Sequence, residues 1–106
     1  MLKTKKYNKL IRDKISEKLS DKNIKFTTHI ADENEYSKAL MKKLEEEVKE
    51  FIDDNNEEEL ADIIEVINAI VDLKGFSQER IEIIRKDKAK KKGVFRDKII
   101  LDETTE

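Results

Sequence analysis

Five acids in the middle of the chain, Glu46, Glu47, Glu50, Glu59 and Asp62, are the residues most able to do chemistry. Their meaning depends on the apolar residues around them. A helical residue turns by about 100° from the one before it, so the faces of a helix can be read from spacing. Tyr36, Leu40, Leu44, Val48 and Phe51 then share one apolar face, and Glu47 projects into it between the directions of Tyr36 and Leu40. Glu50 falls at the edge of that face and Glu46 just beyond. The next segment repeats the device: Ile63, Val66 and Ile70 follow Glu59 at i+4, i+7 and i+11, with Asp62 at the edge of the stripe. Glu47, Glu50, Glu59 and Asp62 are therefore expected to converge between two antiparallel helices.

Carboxylates gathered on a core-facing surface repel one another and lose hydration, so each favours its protonated form unless a cation compensates it. A purely oxygen ligand set suits Mg²⁺ or Mn²⁺, whereas Zn²⁺ would favour His or Cys. The competing explanation is that these acids serve only helix ion pairs, such as Lys43 with Glu47 at i, i+4.

The elements that must position these acids are helical. With no proline and two glycines, the chain has few residues that interrupt a helix. Ile11, Ile15 and Leu19 mark a first helix over residues 9–19. A second is expected over 35–53, capped by Asp32 or Asn34, and a third over 57–73. Asp53 to Asn56 forms the short polar turn that makes those two antiparallel neighbours. Gly75 is placed to stop the third helix, and Ser77 to cap a fourth that ends near Gly93. The weak alternation of residues 25–30 and the apolar tail at 96–101 suggest a small two-stranded β element. The expected fold is mainly all-α: a four-to-five-helix bundle in a single domain over residues 1–106.

Composition limits the function classes. With 23 basic and 25 acidic side chains, the formal charge of -2 argues against a general nucleic-acid binder. The basic residues gather at the start and in the late stretch from Lys86 to Lys92, around an acidic middle. Such sorting could bring a metal ion and phosphates together. The absence of cysteine removes disulfides and thiolate metal sites. No apolar run approaches the roughly 20 residues that span a bilayer, and the charged N-terminus lacks a signal-peptide hydrophobic region, so a cytoplasmic, soluble protein is expected.

Three segments resemble one family. Glu46-Glu47-x-x-Glu50 followed by Glu59-x-x-Asp62 is similar to the metal signature of the all-α nucleoside triphosphate pyrophosphatases, the MazG-like superfamily. Tyr7-Asn8-Lys9-Leu10-Ile11-Arg12-Asp13-Lys14-Ile15 resembles the "NKLVRDKI" start of its phosphoribosyl-ATP pyrophosphohydrolase-like branch. Lys91-Lys92-Gly93-Val94-Phe95 resembles that branch's basic, glycine-containing "RGGF" segment. Ser16 stands where the branch usually has proline, and Val94 replaces a second glycine.

The resemblance implies Mg²⁺-dependent hydrolysis of a nucleoside triphosphate or related nucleotide between its α and β phosphates. The products would be a monophosphate and pyrophosphate. It implies Glu47, Glu50, Glu59 and Asp62 as metal ligands, with Glu46 and Glu47 in the catalytic set and Glu46 as an outer acid or water-orienting group. Asn8, Lys9, Arg12 and Lys14 become candidates for the phosphate chain, with Lys92, Lys91 and Arg96 further candidates. Arg12 stands first among them because guanidinium binds phosphate in bidentate fashion. His29, the only histidine, reads as structural rather than as a general base. Self-association is expected because the third helix is apolar over more than half its circumference, and the resemblance implies a homodimer or homotetramer. The alternatives are a non-catalytic nucleotide-binding regulator and a helical oligomeric interaction module.

Overall fold

The structure, a computed structural model, describes residues 3–106. Four helices follow one another: α1 (Ile15–Asp21), α2 (Glu33–Asp54), α3 (Glu57–Lys74) and α4 (Gln78–Lys92). The fold is all-α, as the periodicity predicts, and no strand forms among the described residues. Packing divides the chain into two units, Met1–Lys74 and Gly75–Glu106.

In the first unit, α2 and α3 pack against each other. The ends of α2 are set by side chains whose types suit the task. Asp32 takes extended backbone geometry, and its carboxylate accepts the Glu35 N–H at 2.9 Å. At the other end Asn55 adopts the left-handed conformation (φ 53°, ψ 44°), which asparagine tolerates better than most residues. Its N–H donates to the Phe51 carbonyl at 2.8 Å. Asn56 then begins α3, its side-chain oxygen accepting the Glu59 N–H at 3.0 Å. The connection is therefore two asparagines with different duties, one closing a helix and the next opening another. So short a link folds α3 back along α2.

Leu40, only 1% exposed, is the centre of the core, joined by Val66 and Val71 from α3. Tyr36, Leu44, Phe51, Ile63 and Ile70 are half-buried around them. All but Val71 lie on stripes expected from sequence; Val48, from the same α2 stripe, is exposed.

Two expectations need correction. The first helix begins at Ile15 rather than Lys9, and residues 3–14 form an irregular strap. Asn8, just before the expected start, takes a left-handed φ of 48°. Lys9 and Arg12 spend their side chains on α2 and α3 instead. Ile11, Ile15 and Leu19 still sit half-buried, so their stripe survives a later helix start. The β element suggested at 25–30 and 96–101 is also absent. A two-stranded ribbon is marginal without a third strand or a covering helix. Within the second segment, Lys98 takes a left-handed φ of 59° and donates its N–H back to the Phe95 carbonyl, a turn that interrupts extension.

In the second unit, Ser77 accepts the Arg80 N–H at 3.1 Å and starts α4. Gly93 ends it at φ 85°, a value that favours glycine because no Cβ obstructs it. No residue of α4 is buried.

Candidate functional site

The last turns of α2 and the first turns of α3 lie either side of the Asn55–Asn56 link, so acids near the turn on both helices meet. Glu46, Glu47 and Glu50 can each place one carboxylate oxygen within 4.8 Å of the others, and so can Glu47, Glu59 and Asp62. Glu47 belongs to both groups and joins them. The two pairs expected to converge, Glu47 with Glu50 and Glu59 with Asp62, are thus brought together.

Glu47 is the most unusual of the five. It is 6% exposed, the one charged residue buried in the core among the described residues. Lys43 reaches its Oε1 at 3.4 Å, so the helix ion pair anticipated as a competing explanation is present. That pair accounts for one oxygen only. Glu47 Oε2 is buried with no hydrogen-bond partner, and Glu59 Oε2 is in the same condition. Buried polar atoms without partners are rare because each forfeits its hydration.

The electrostatics follow. Burial pushes the Glu47 carboxyl above its ordinary 4.5, and the neighbouring Glu50 carboxyl, by hydrogen bonding and by charge, pushes it further; Lys43 opposes both. Glu59 is raised as well, first by desolvation and then by the charges of Asp54 and Asp62. Glu46 moves the other way, because Lys9 donates a hydrogen bond to it at 2.7 Å and Lys43 lies 3.6 Å from its second oxygen.

The strap supplies the remaining cations. Lys9 Nζ meets Glu46 Oε1, and Arg12 Nη2 donates to Asp62 Oδ1 at 2.7 Å. Glu46 and Asp62 are therefore the acids that the strap pairs, while Glu47 and Glu59 each keep an unsatisfied oxygen. Asn8 and Lys9 also line a cleft of about 350 Å³ along α2. Of the other substrate candidates, Lys14 is exposed at the start of α1 and makes no capping bond. It joins neither the acids nor the cleft. Lys92 closes α4 and, like Lys91 and Arg96, belongs to the second unit. His29 pairs with Glu35 at 2.8 Å on an exposed surface, outside the acid cluster.

Lys38 and Lys42 also line the cleft and were missed by sequence reasoning. Their i, i+4 spacing marks one helix face, but nothing in the sequence distinguishes that face from an ordinary solvated one.

The donor set is all oxygen, with two orphaned buried carboxylate oxygens at its centre, and so fits a hard divalent cation such as Mg²⁺ or Mn²⁺. No known family model, curated protein or solved structure matches the chain.

Proposed function

We propose that this protein is a metal-dependent hydrolase that cleaves a nucleoside triphosphate, or a related nucleotide, between the α and β phosphates. One observation carries the reading: Glu47 is buried in the core, yet one of its oxygens has no partner and faces other acids. A carboxylate used only for packing or for a helix ion pair would not need that arrangement. The similarity of the opening segment and of the acid spacing to the all-α pyrophosphatases directs the choice of reaction.

In this reading Glu47, Glu50, Glu59 and Asp62 hold Mg²⁺. When bound, the ion neutralises phosphate charge and favours an in-line water attack. Glu46, kept ionised by Lys9 and Lys43, is suited to orient a water through its carboxylate. Arg12, held beside Asp62, is a guanidinium within reach of the same cluster and is suited to a phosphate oxygen. Lys14, which joins neither the acids nor the cleft, has no part in this scheme, while Lys92 stays a candidate for the phosphate chain as the resemblance implies. Self-association as a homodimer or homotetramer belongs to the same reading. Its support is the apolar stripe of Leu60, Ile64 and Ile67, exposed on the helix that carries Glu59 and Asp62.

The test is an incubation with a panel of NTPs and dNTPs, with and without Mg²⁺, that reads pyrophosphate and orthophosphate separately. Pyrophosphate with matching monophosphate, dependent on Mg²⁺ and absent from Glu47→Gln, is the expected result. Orthophosphate alone would place the cleavage at a different bond. Absence of any product would favour a binding-only regulator, and activity surviving in Glu47→Gln would remove the acid cluster from the mechanism.

A further inference from the structure

The cleft along α2 carries an unbalanced charge that the acid cluster does not use. Lys9 and Lys43 line it, but both are tied to acids, Lys9 to Glu46 and Lys43 to Glu46 and Glu47. Glu35, the other acid of the cleft, accepts a hydrogen bond from His29 at 2.8 Å and keeps its own charge. Lys38 and Lys42 remain. Both are exposed, and among the described residues neither has an ion-pair partner. The cleft thus sets four ammonium groups, Lys9, Lys38, Lys42 and Lys43, against two carboxylates, Glu35 and Glu46, a surplus of two positive charges, with the amide side chains of Asn8 and Asn34 beside them.

The dimensions narrow the ligand. At about 350 Å³ the space lies near the lower end of the roughly 300–1,000 Å³ typical of small-molecule sites, so it suits a short anion rather than a whole nucleotide. Its lining runs along α2 from Asn34 to Glu46. Lys38 and Glu46 are eight residues apart, and eight residues of α-helix rise about 12 Å. A linear anion with several charges spans that distance; orthophosphate does not. Lysine is a point charge suited to phosphate oxygens. One end of the cleft reaches the acid cluster, and an anion that also shares a divalent cation fits both ends.

We propose that this cleft seats a condensed phosphate chain, with Lys38 and Lys42 binding the phosphates farthest from the acid cluster. The inference rests on the pyrophosphohydrolase reading for its orientation, and it specifies the substrate as one with a phosphate tail beyond the cleaved bond. A nucleotide with fewer phosphates leaves Lys38 and Lys42 without a ligand.

The experiment is calorimetric titration of the full chain with inorganic tripolyphosphate in metal-depleted buffer, with orthophosphate as the short comparator. Two double variants remove equal charge: Lys38→Gln/Lys42→Gln in the cleft, and Lys88→Gln/Lys90→Gln on α4. Tripolyphosphate should bind the wild type more tightly than orthophosphate. The cleft variant should lose about tenfold or more, as expected for charge-assisted contacts, and the α4 variant should stay close to wild type. Lys38→Arg/Lys42→Arg, which keeps the charge, should retain binding, and circular dichroism checks that each variant is folded. Equal losses in both Gln variants, or no tripolyphosphate binding by the wild type, would overturn the proposal. The metal reading is tested apart from this, by the rise in melting temperature that Mg²⁺ causes in the wild type and not in Glu47→Gln. Either result can fail while the other stands.

Discussion

Glu47 concentrates the conflict between folding and function in one side chain. Its carboxylate lies in the core facing Glu50, Glu59 and Asp62, with Lys43 and the more distant Lys9 as the cations nearby. Its folded-state pKa is above 4.5, so the sign of the pH effect can be stated. Well below 4.5 both folded and unfolded chains hold the proton, and burial of the carboxyl carries no charge penalty. As pH rises through 4.5 and then through the folded value, the unfolded chain releases its proton first, and stability falls. Glu46, whose value is lowered, acts in the opposite direction, but solvent screens its partly exposed pair with Lys9 and keeps that effect small. Metal-free wild-type protein should therefore melt lower near neutral pH than at about pH 5. Glu47→Gln should flatten that fall and raise the neutral melting point by several degrees, on the order of 1 kcal/mol. Circular dichroism melts in metal-free buffers across that range measure both, and parallel slopes for the two proteins would refute the argument.

At the scale of elements, the Asn55–Asn56 link decides whether the acids meet at all. Asn56→Ala removes the acceptor for the Glu59 N–H and should cost about 0.5–2 kcal/mol, read as a lower melting temperature. Because Glu59 is the residue anchored by that bond, the same variant should also reduce the stabilisation that Mg²⁺ gives. An unchanged Mg²⁺ response would separate the cap from the site. Much of this architecture was legible beforehand. Asp32, Ser77, Gly75 and Gly93 sit where caps and stops are expected, and the phase of Glu47 against Leu40 and Phe51 identifies a buried acid from spacing alone. The strap was not legible. Residues 9–14 have helical periodicity, but Lys9 and Arg12 are held by acids 37 and 50 residues away, and a local pattern contains no information about such partners. The tail at 96–101 misled for a related reason: its composition favours a strand, while pairing depends on a neighbour that composition does not supply.

For the whole molecule, exposed apolar surface is the dominant fact. Met41, Val48 and Ile52 follow one another along α2, and Leu60, Ile64 and Ile67 along α3, with Ile64 58% exposed. In the second unit Phe95 is 99% exposed, and Ile99, Ile100 and Leu101 are exposed with it. Surfaces of this kind on a small protein favour association. Sedimentation velocity should show a dimer or tetramer for the wild type, shifted towards monomer by Ile64→Glu; a wild-type monomer at all concentrations would refute self-association. No helix among the described residues is long and apolar enough to cross a membrane. The two-residue link also bears on how such a gene can vary in length. A polar, solvent-exposed turn is ordinarily where extra codons are tolerated. Here neither asparagine is spare, since one terminates α2 and the other initiates α3. An added residue between them would leave both helices intact and their relative phase unset. In this chain, insertional tolerance should be lowest at the turn whose composition most resembles a permissive loop.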